Sequence, residues 1–249
     1  MSEASKNEEL ISLYRSDSSL MDDAVGRLIV KLYSYREKHG KSSILLTGCN
    51  PGCGTTTTAI NLAIALAGAG WNTLLVDVDM RKGMKYKRLT GAGVGLSDYL
   101  ERRMEIDSIV FRTSKAKLRY VSCGLPETNT VRLLCSERME RFVAETRDAF
   151  DFIVFDCPSL SVVPDATVLF PSVDCISLVL ALGSTTKKQL AAAKREVSKH
   201  PDKYTGLIIN RVDKRQYKRL FPQFDYFEEA NMRRAHRRSI RKSKHKGGE

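Results

Sequence analysis

Along this chain the spacing of hydrophobic and polar positions switches repeatedly between a helical and a strand-like pattern. After a polar opening without period, Met21, Ala24, Val25, Leu28, Ile29 and Leu32 recur three and four residues apart, which predicts a helix with one apolar face. Ser19 is its expected N-cap, with Asp22 three residues on, and Gly40 ends it. Compact apolar runs at 43–47, 73–76, 118–123, 152–155, 175–182 and 206–210 read as strands. Helical spacing fills 55–68, 132–150 and 185–199, residues 95–100 read as a short helical turn, and the stretch up to 116 gives no decisive period. Strand and helix alternate, so the expected fold is α/β: a mostly parallel sheet with helices on both faces. No internal repeat and no Pro, Gly or Ser linker divides residues 19–215, which read as one domain between a flexible 1–18 and a basic tail, 216–249.

The junction of the first strand and the helix after it carries the chemistry. Thr47-Gly48-Cys49-Asn50-Pro51-Gly52-Cys53-Gly54-Thr55-Thr56-Thr57-Thr58 follows Ile44-Leu45-Leu46 and opens the helix, the layout of a phosphate-binding P-loop. Gly52 and Gly54 let successive N–H groups converge on one anion, and the helix N-terminus adds donors and a positive dipole end. The usual pattern ends Gly-Lys-Ser/Thr; here Thr55 and Thr56 follow Gly54, so the hydroxyl is present and the lysine is absent. The second strand delivers Asp77 and Asp79 at its carboxyl end, and the buried run 152–155 ends in Asp156. Phosphoryl transfer requires positioning and charge neutralisation, and each part has a candidate. The backbone of Gly52, Cys53, Gly54, Thr55 and Thr56, with Thr57 beside it, would cradle phosphate, and Thr56, Asp79 and Asp156 would hold Mg²⁺ and its waters. Asp77, Asp79 and Asp156 are the catalytic candidates, Arg81 is placed to reach phosphate, and Asn210 to read an adenine edge. The competing reading makes the acids strand-end or capping carboxylates, and Asn210 a turn residue.

Composition bounds the rest. With 249 residues and 42% hydrophobic content the chain can bury a large core. No apolar run approaches the roughly 20 residues that span a bilayer, and the N-terminus is too polar for a secretory signal, so a cytoplasmic location is expected. Six scattered cysteines read as reduced thiols. Cys49 and Cys53 are spaced so that they could share a metal, but small residues filling a tight loop are the favoured explanation. The net charge is +12, and residues 231–249 hold eight Lys or Arg and one acid. Such a tail suits an anionic membrane face, which would place the protein at the inner side of the plasma membrane; nucleic acid is the disfavoured partner, and the competing reading is a solvated tail.

Leu74-Leu75-Val76-Asp77-Val78-Asp79-Met80-Arg81, Gly95-Leu96-Ser97-Asp98-Tyr99-Leu100, Phe150-Asp151-Phe152-Ile153-Val154-Phe155-Asp156-Cys157-Pro158 and Pro164-Asp165-Ala166 together resemble the bacterial tyrosine kinases of capsular and exopolysaccharide synthesis, P-loop proteins related to partition and septum-site ATPases. The resemblance spans about residues 18–213. It implies a P-loop NTPase fold, ATP and Mg²⁺ as cofactors, a separate membrane-embedded chain-length regulator as partner, and autophosphorylation on tyrosine between subunits of a ring. It implies Walker roles for Asp77, Asp79 and Asp156. Three departures accompany it. Thr55 stands where the P-loop lysine belongs. In the family's Glu-x-x-Arg-x-x-Arg ring-forming pattern, Asp23 keeps the acid while Gly26 and Ile29 replace both arginines, so a homo-oligomer is not secured. The C-terminal tyrosine cluster is missing, leaving Tyr204, Tyr217 and Tyr226 isolated. The resulting expectation is a kinase-like, ATP- and Mg²⁺-binding regulator with impaired phosphoryl transfer. Its alternatives are an inactive adaptor of the same machinery and, less favoured because Asn50 occupies that class's signature-lysine position, a partition-type ATPase.

Overall fold

The computed structural model describes residues 19–40, 42–81, 93–101, 103–213 and 215–216. The expectations for 1–18, for Tyr217 and Tyr226 and for the basic tail lie outside the described residues. The chain divides into two units, 1–210 and 211–249, and the sheet belongs to the first.

Seven strands form that sheet: β1 (Ser42–Gly48), β2 (Thr73–Asp77), β3 (Phe111–Arg112), β4 (Leu118–Val121), β5 (Phe152–Asp156), β6 (Cys175–Ala181) and β7 (Tyr204–Asn210). Their spatial order is β3-β4-β2-β5-β1-β6-β7, and every pairing is parallel except β3 with β4. β1 is central, between β5 and β6. Because side chains alternate along a strand, its residues serve two cores. Ile44 and Leu46 join Leu75, Phe152 and Val154 beneath α1 (Ser19–His39) and α2 (Thr55–Gly68), whose Val25, Leu32, Leu62 and Leu66 are buried there. Leu45 faces the other way with Val76, Phe155 and Leu178, against Met139 and Phe142 of α5 (Glu137–Ala149) and Ala193 and Val197 of α7 (Lys187–Val197). Helices on both faces of a mostly parallel sheet are what the alternation predicted.

Details differ for local reasons. The helix expected at 132–150 is two, α4 (Thr130–Leu134) and α5, because Ser136 interrupts it: its hydroxyl donates to Leu133 O at 2.6 Å and accepts from Met139 N, capping the second helix. Apolar spacing runs through the break because both pieces bury their inner face. Strand β3, two residues long, and α6 (Asp165–Leu169), five, are too short to leave a period. Ala24, expected on the buried face of α1, is exposed, while Val25 and Leu32 carry the packing. The Gly95–Leu100 motif contains α3 (Leu96–Leu100) and fastens it to the end of β4: Leu96 N donates to Ser122 O, and Asp98 Oδ2 accepts from Gly95 N at 2.9 Å. A Cβ on Gly95 would strike the Ser122 carbonyl, so this glycine is required by close approach.

Candidate functional site

β1 leads to α2 and then β2 on one side of the sheet, and β6 leads through α7 to β7 on the other. Chain direction therefore reverses at β1, and in open α/β sheets the crevice at such a switch point, beyond the strands' carboxyl ends, is where ligands bind. The loop 49–54 leaves β1 at that point. Gly52 (φ 72°) and Gly54 (φ 94°) are left-handed, a conformation unfavourable for other residues. The first helical bond of α2 runs from Thr58 N to Gly54 O at 3.0 Å, so the N–H groups of Thr55, Thr56 and Thr57 are the helix's N-terminal donors. No side chain caps this end, and no acid lies in its first turn.

The loop is tied down from several directions. Cys49 N donates to Val179 O at 2.8 Å, and the Cys53 thiol to the same carbonyl at 3.3 Å. Thr185 Oγ1 donates to Asn50 Oδ1 at 2.5 Å. Asn210 Nδ2 donates to Cys53 O at 2.9 Å, and a Cβ on Gly54 would collide with that amide. Asn210, read from sequence as an adenine contact, thus braces the loop. Thr55 does not project as a long cationic side chain would: its hydroxyl lies 3.4 Å from Cys53 Sγ, and a Cβ on Gly48 would sit 2.5 Å from that sulfur and 2.8 Å from Thr55 Oγ1. The volume above Gly48 is filled by these two small side chains.

The three acids gather at the same edge. Asp77 and Asp156 are lateral partners on adjacent β2 and β5, and Leu46 of β1 is the neighbour of Asp156 on its other side. Asp77, Asp79 and Asp156 are all buried. Asp77 Oδ1 accepts from Asp79 N at 3.0 Å, and Val78 N donates to Asp156 O at 2.9 Å, so the turn after β2 is fixed by both strands' acidic ends. Their negative field registers on Tyr120, whose phenol is pushed well above its ordinary value by burial first and then by Asp77, Cys123 and Asp156. Burial also pushes the Cys49 thiol up to about 11, with Cys53 adding to the shift and Lys194 opposing it. All six cysteines are free thiols, and among the described residues no group of three or more His, Cys, Asp or Glu is arranged as a metal cluster.

Arg81 is engaged elsewhere than the sequence suggested. Its guanidinium makes a two-pronged pair with fully buried Asp165, Nε to Oδ2 at 3.0 Å and Nη2 to Oδ1 at 2.9 Å, and Nη1 donates to Thr128 O at 3.3 Å. Thr130 Oγ1 donates to the same carboxylate at 2.7 Å. The Asp165 hydrogen bonds raise the Arg81 pKa and fix its charge in place. In the sequence Asp165 stands out only as part of Pro164-Asp165-Ala166; a carboxylate opening a short helix offers no further signal of its partner.

A cradle too tight for a Cβ at Gly48 and Gly54, uncapped helix donors and buried carboxylates on neighbouring strands fit a phosphate-and-cation site. The model of the CobQ/CobB/MinD/ParA nucleotide-binding domain matches residues 44–233. Tyrosine-protein kinase YwqD of Bacillus subtilis is 32% identical over 169 residues, 68% of this chain and 71% of that protein. The kinase domain of Escherichia coli tyrosine kinase Etk superposes with a TM-score of 0.70 at 25% identity over 77% of each chain. A cobyrinic acid a,c-diamide synthase from Mycobacterium smegmatis, crystallised with an ATP analogue and magnesium, shares the fold at 20% identity and a TM-score of 0.61, over 74% of this chain and 82% of that one. With a family model over residues 44–233 and a curated relative 32% identical over 71% of its length, the chain belongs to the bacterial tyrosine-protein kinase branch of the CobQ/CobB/MinD/ParA nucleotide-binding family.

Proposed function

We propose that this chain binds ATP with Mg²⁺ at the 49–57 loop and acts as a regulatory member of its family, impaired in phosphoryl transfer, within capsular or exopolysaccharide synthesis. The observation that carries the reading is the contrast at one site. The cradle and the buried acids Asp77, Asp79 and Asp156 are kept, while Thr55 stands at the position of the P-loop lysine and packs with Cys53 over Gly48. Thr55, Thr56 and Thr57 N–H groups would meet the phosphates. The Thr56 hydroxyl with Asp79 and Asp156 would hold the cation, which when bound neutralises phosphate charge. Asp77, through its bond to Asp79 N, orients that turn. Loss of one well-placed charge clamp costs about 3 to 4 kcal/mol of transition-state stabilisation, roughly 10² to 10³ in rate.

The family membership supports a membrane chain-length regulator as partner, and the basic tail supports attachment to an anionic inner leaflet. Truncation after Glu229 lowers binding to phosphatidylglycerol vesicles if the tail serves that purpose; unchanged binding removes the membrane role. For the site, the test is tyrosine phosphorylation of the purified protein with ATP and Mg²⁺ beside Thr55→Lys. The proposal expects wild type to be slower by at least tenfold, and equal rates would sink it. A second reading, an adaptor that binds no nucleotide, is favoured by Arg81 being held by Asp165 rather than turned to the loop; it predicts no ATP affinity in the wild type.

A further inference from the structure

We infer that a cleft beside the phosphate loop is a docking site for an acidic peptide segment of a partner protein, which inserts one large apolar side chain. The cleft has a volume of about 420 Å³, within the range of ligand sites. The segment after β5 forms one wall with Leu160, Val162, Val163 and Pro164; α7 forms the other with Ala192 and Ala193, and Cys49, the first residue of the loop, lies at its base. Its rim is open: Ser161, Val162, Pro164 and Ala192 are exposed, and Val162 is 59% accessible. The open rim leaves room for an occupant that stays attached to something outside, as a side chain is to its peptide. Gln189 and Glu196 put polar groups on the α7 wall, suited to a peptide backbone and less so to an acyl chain.

Charge selects the flanks of that peptide. The solvent side of α7 presents Lys187, Lys188, Lys194 and Arg195, and Lys199 follows just beyond the helix, all exposed. The single acid of α7, Glu196, is paired with Lys199 at 2.6 Å. Lys188, Ala192, Arg195 and Lys199 lie along one stripe at spacings of four, three and four, so cations border the cleft mouth on both sides of a small residue. A second copy would bring the same cations against these, and the chain's own tail is basic; an acidic segment of a different protein is the complementary occupant.

The cleft is wired to the loop. Leu160 N donates to Gly48 O at 2.9 Å, Thr47 Oγ1 donates to Pro158 O at 2.7 Å, and the residue before the α7 cap, Thr185, holds Asn50. An occupant that spreads the two walls pulls on the start of the loop from both of them, which makes the cleft a place from which a partner sets the loop's shape. This holds whether or not the loop takes nucleotide.

The test uses the full chain and fluorescein-labelled peptides of sequence Glu-Glu-X-Glu-Glu, with X Leu or Ala, and a Lys-Lys-Leu-Lys-Lys control, read by anisotropy at low salt. The expected result is at least tenfold tighter binding of the Leu peptide than of either other. Ala192→Trp, which fills the mouth from an exposed position, should weaken it tenfold with an unchanged melting temperature. Lys188→Glu with Arg195→Glu should weaken it likewise. Equal binding of the Leu and Ala peptides, or indifference to Ala192→Trp, overturns the inference. So does displacement of the peptide by phosphatidylglycerol vesicles whose own binding is lost in Ala192→Trp, which would make the cleft a lipid site.

Discussion

Replacing Asp165 by Ala removes the carboxylate that holds the turn bearing Asp79. Three hydrogen bonds end on that side chain, two from Arg81 and one from Thr130, and it is fully buried. Removing one partner of a buried pair costs about 3 to 5 kcal/mol when the other is left buried. Arg81, however, is 34% exposed, and water can solvate it once released, so the ion-pair part falls toward about 1 to 2 kcal/mol. Thr130 is buried, and its orphaned hydroxyl adds about 1 kcal/mol. The sum is about 2 to 3 kcal/mol, a fall in melting temperature of roughly 4 to 12 °C for a domain of this size. Asp165→Asn keeps the shape and one acceptor and should cost about half as much. Urea unfolding at neutral pH, with Arg81→Ala and the double variant completing a cycle, measures it. The expected coupling is at least 1 kcal/mol; additive effects, or less than about 0.5 kcal/mol for Asp165→Ala, would refute the assignment of Asp165 as the anchor of this turn.

Two further outcomes follow from the loop. Gly48→Ala forces a Cβ against Cys53 Sγ and Thr55 Oγ1 and should cost about 1 to 3 kcal/mol, with Cys53→Ala in the same chain recovering most of it; no recovery would show that the sulfur is not the obstacle. Cys49 should make the protein alkali-sensitive. Its folded pKa of about 11 exceeds the free thiol's 9.0, so the stability is complete below pH 9 and falls as pH rises from 9 to 11, because the unfolded thiol releases its proton first. The loss is roughly 2 to 3 kcal/mol. Buried Tyr120, raised well above its ordinary value, acts in the same direction. Denaturant midpoints across that range should therefore slope less steeply in Cys49→Ala; parallel slopes would remove Cys49 from the account.

The sheet and the loop were legible in the sequence because each is written locally. Ile44-Leu45-Leu46 followed by Gly52 and Gly54 states strand, turn and anion cradle within a dozen residues, and strands buried on both faces show as continuous apolar runs. What sequence could not state is pairing over long separations. Arg81 meets Asp165, 84 residues away, and Asn210 meets Cys53, 157 residues away. In each case the residue type announced a polar role, and the fold chose its partner. Thr55 marks the other limit: its departure from the pattern was visible at once, while its packing with Cys53 over Gly48 needed three-dimensional contact to appear.

The most direct test of the central claim is calorimetric titration of the full chain with ATP in the presence of Mg²⁺, repeated with Asp77→Ala. The account predicts binding in the micromolar range for the wild type and a loss of at least tenfold in the variant, because Asp77 orients the turn that carries Asp79. An absence of ATP binding by the wild type, or equal binding by the variant, would contradict it.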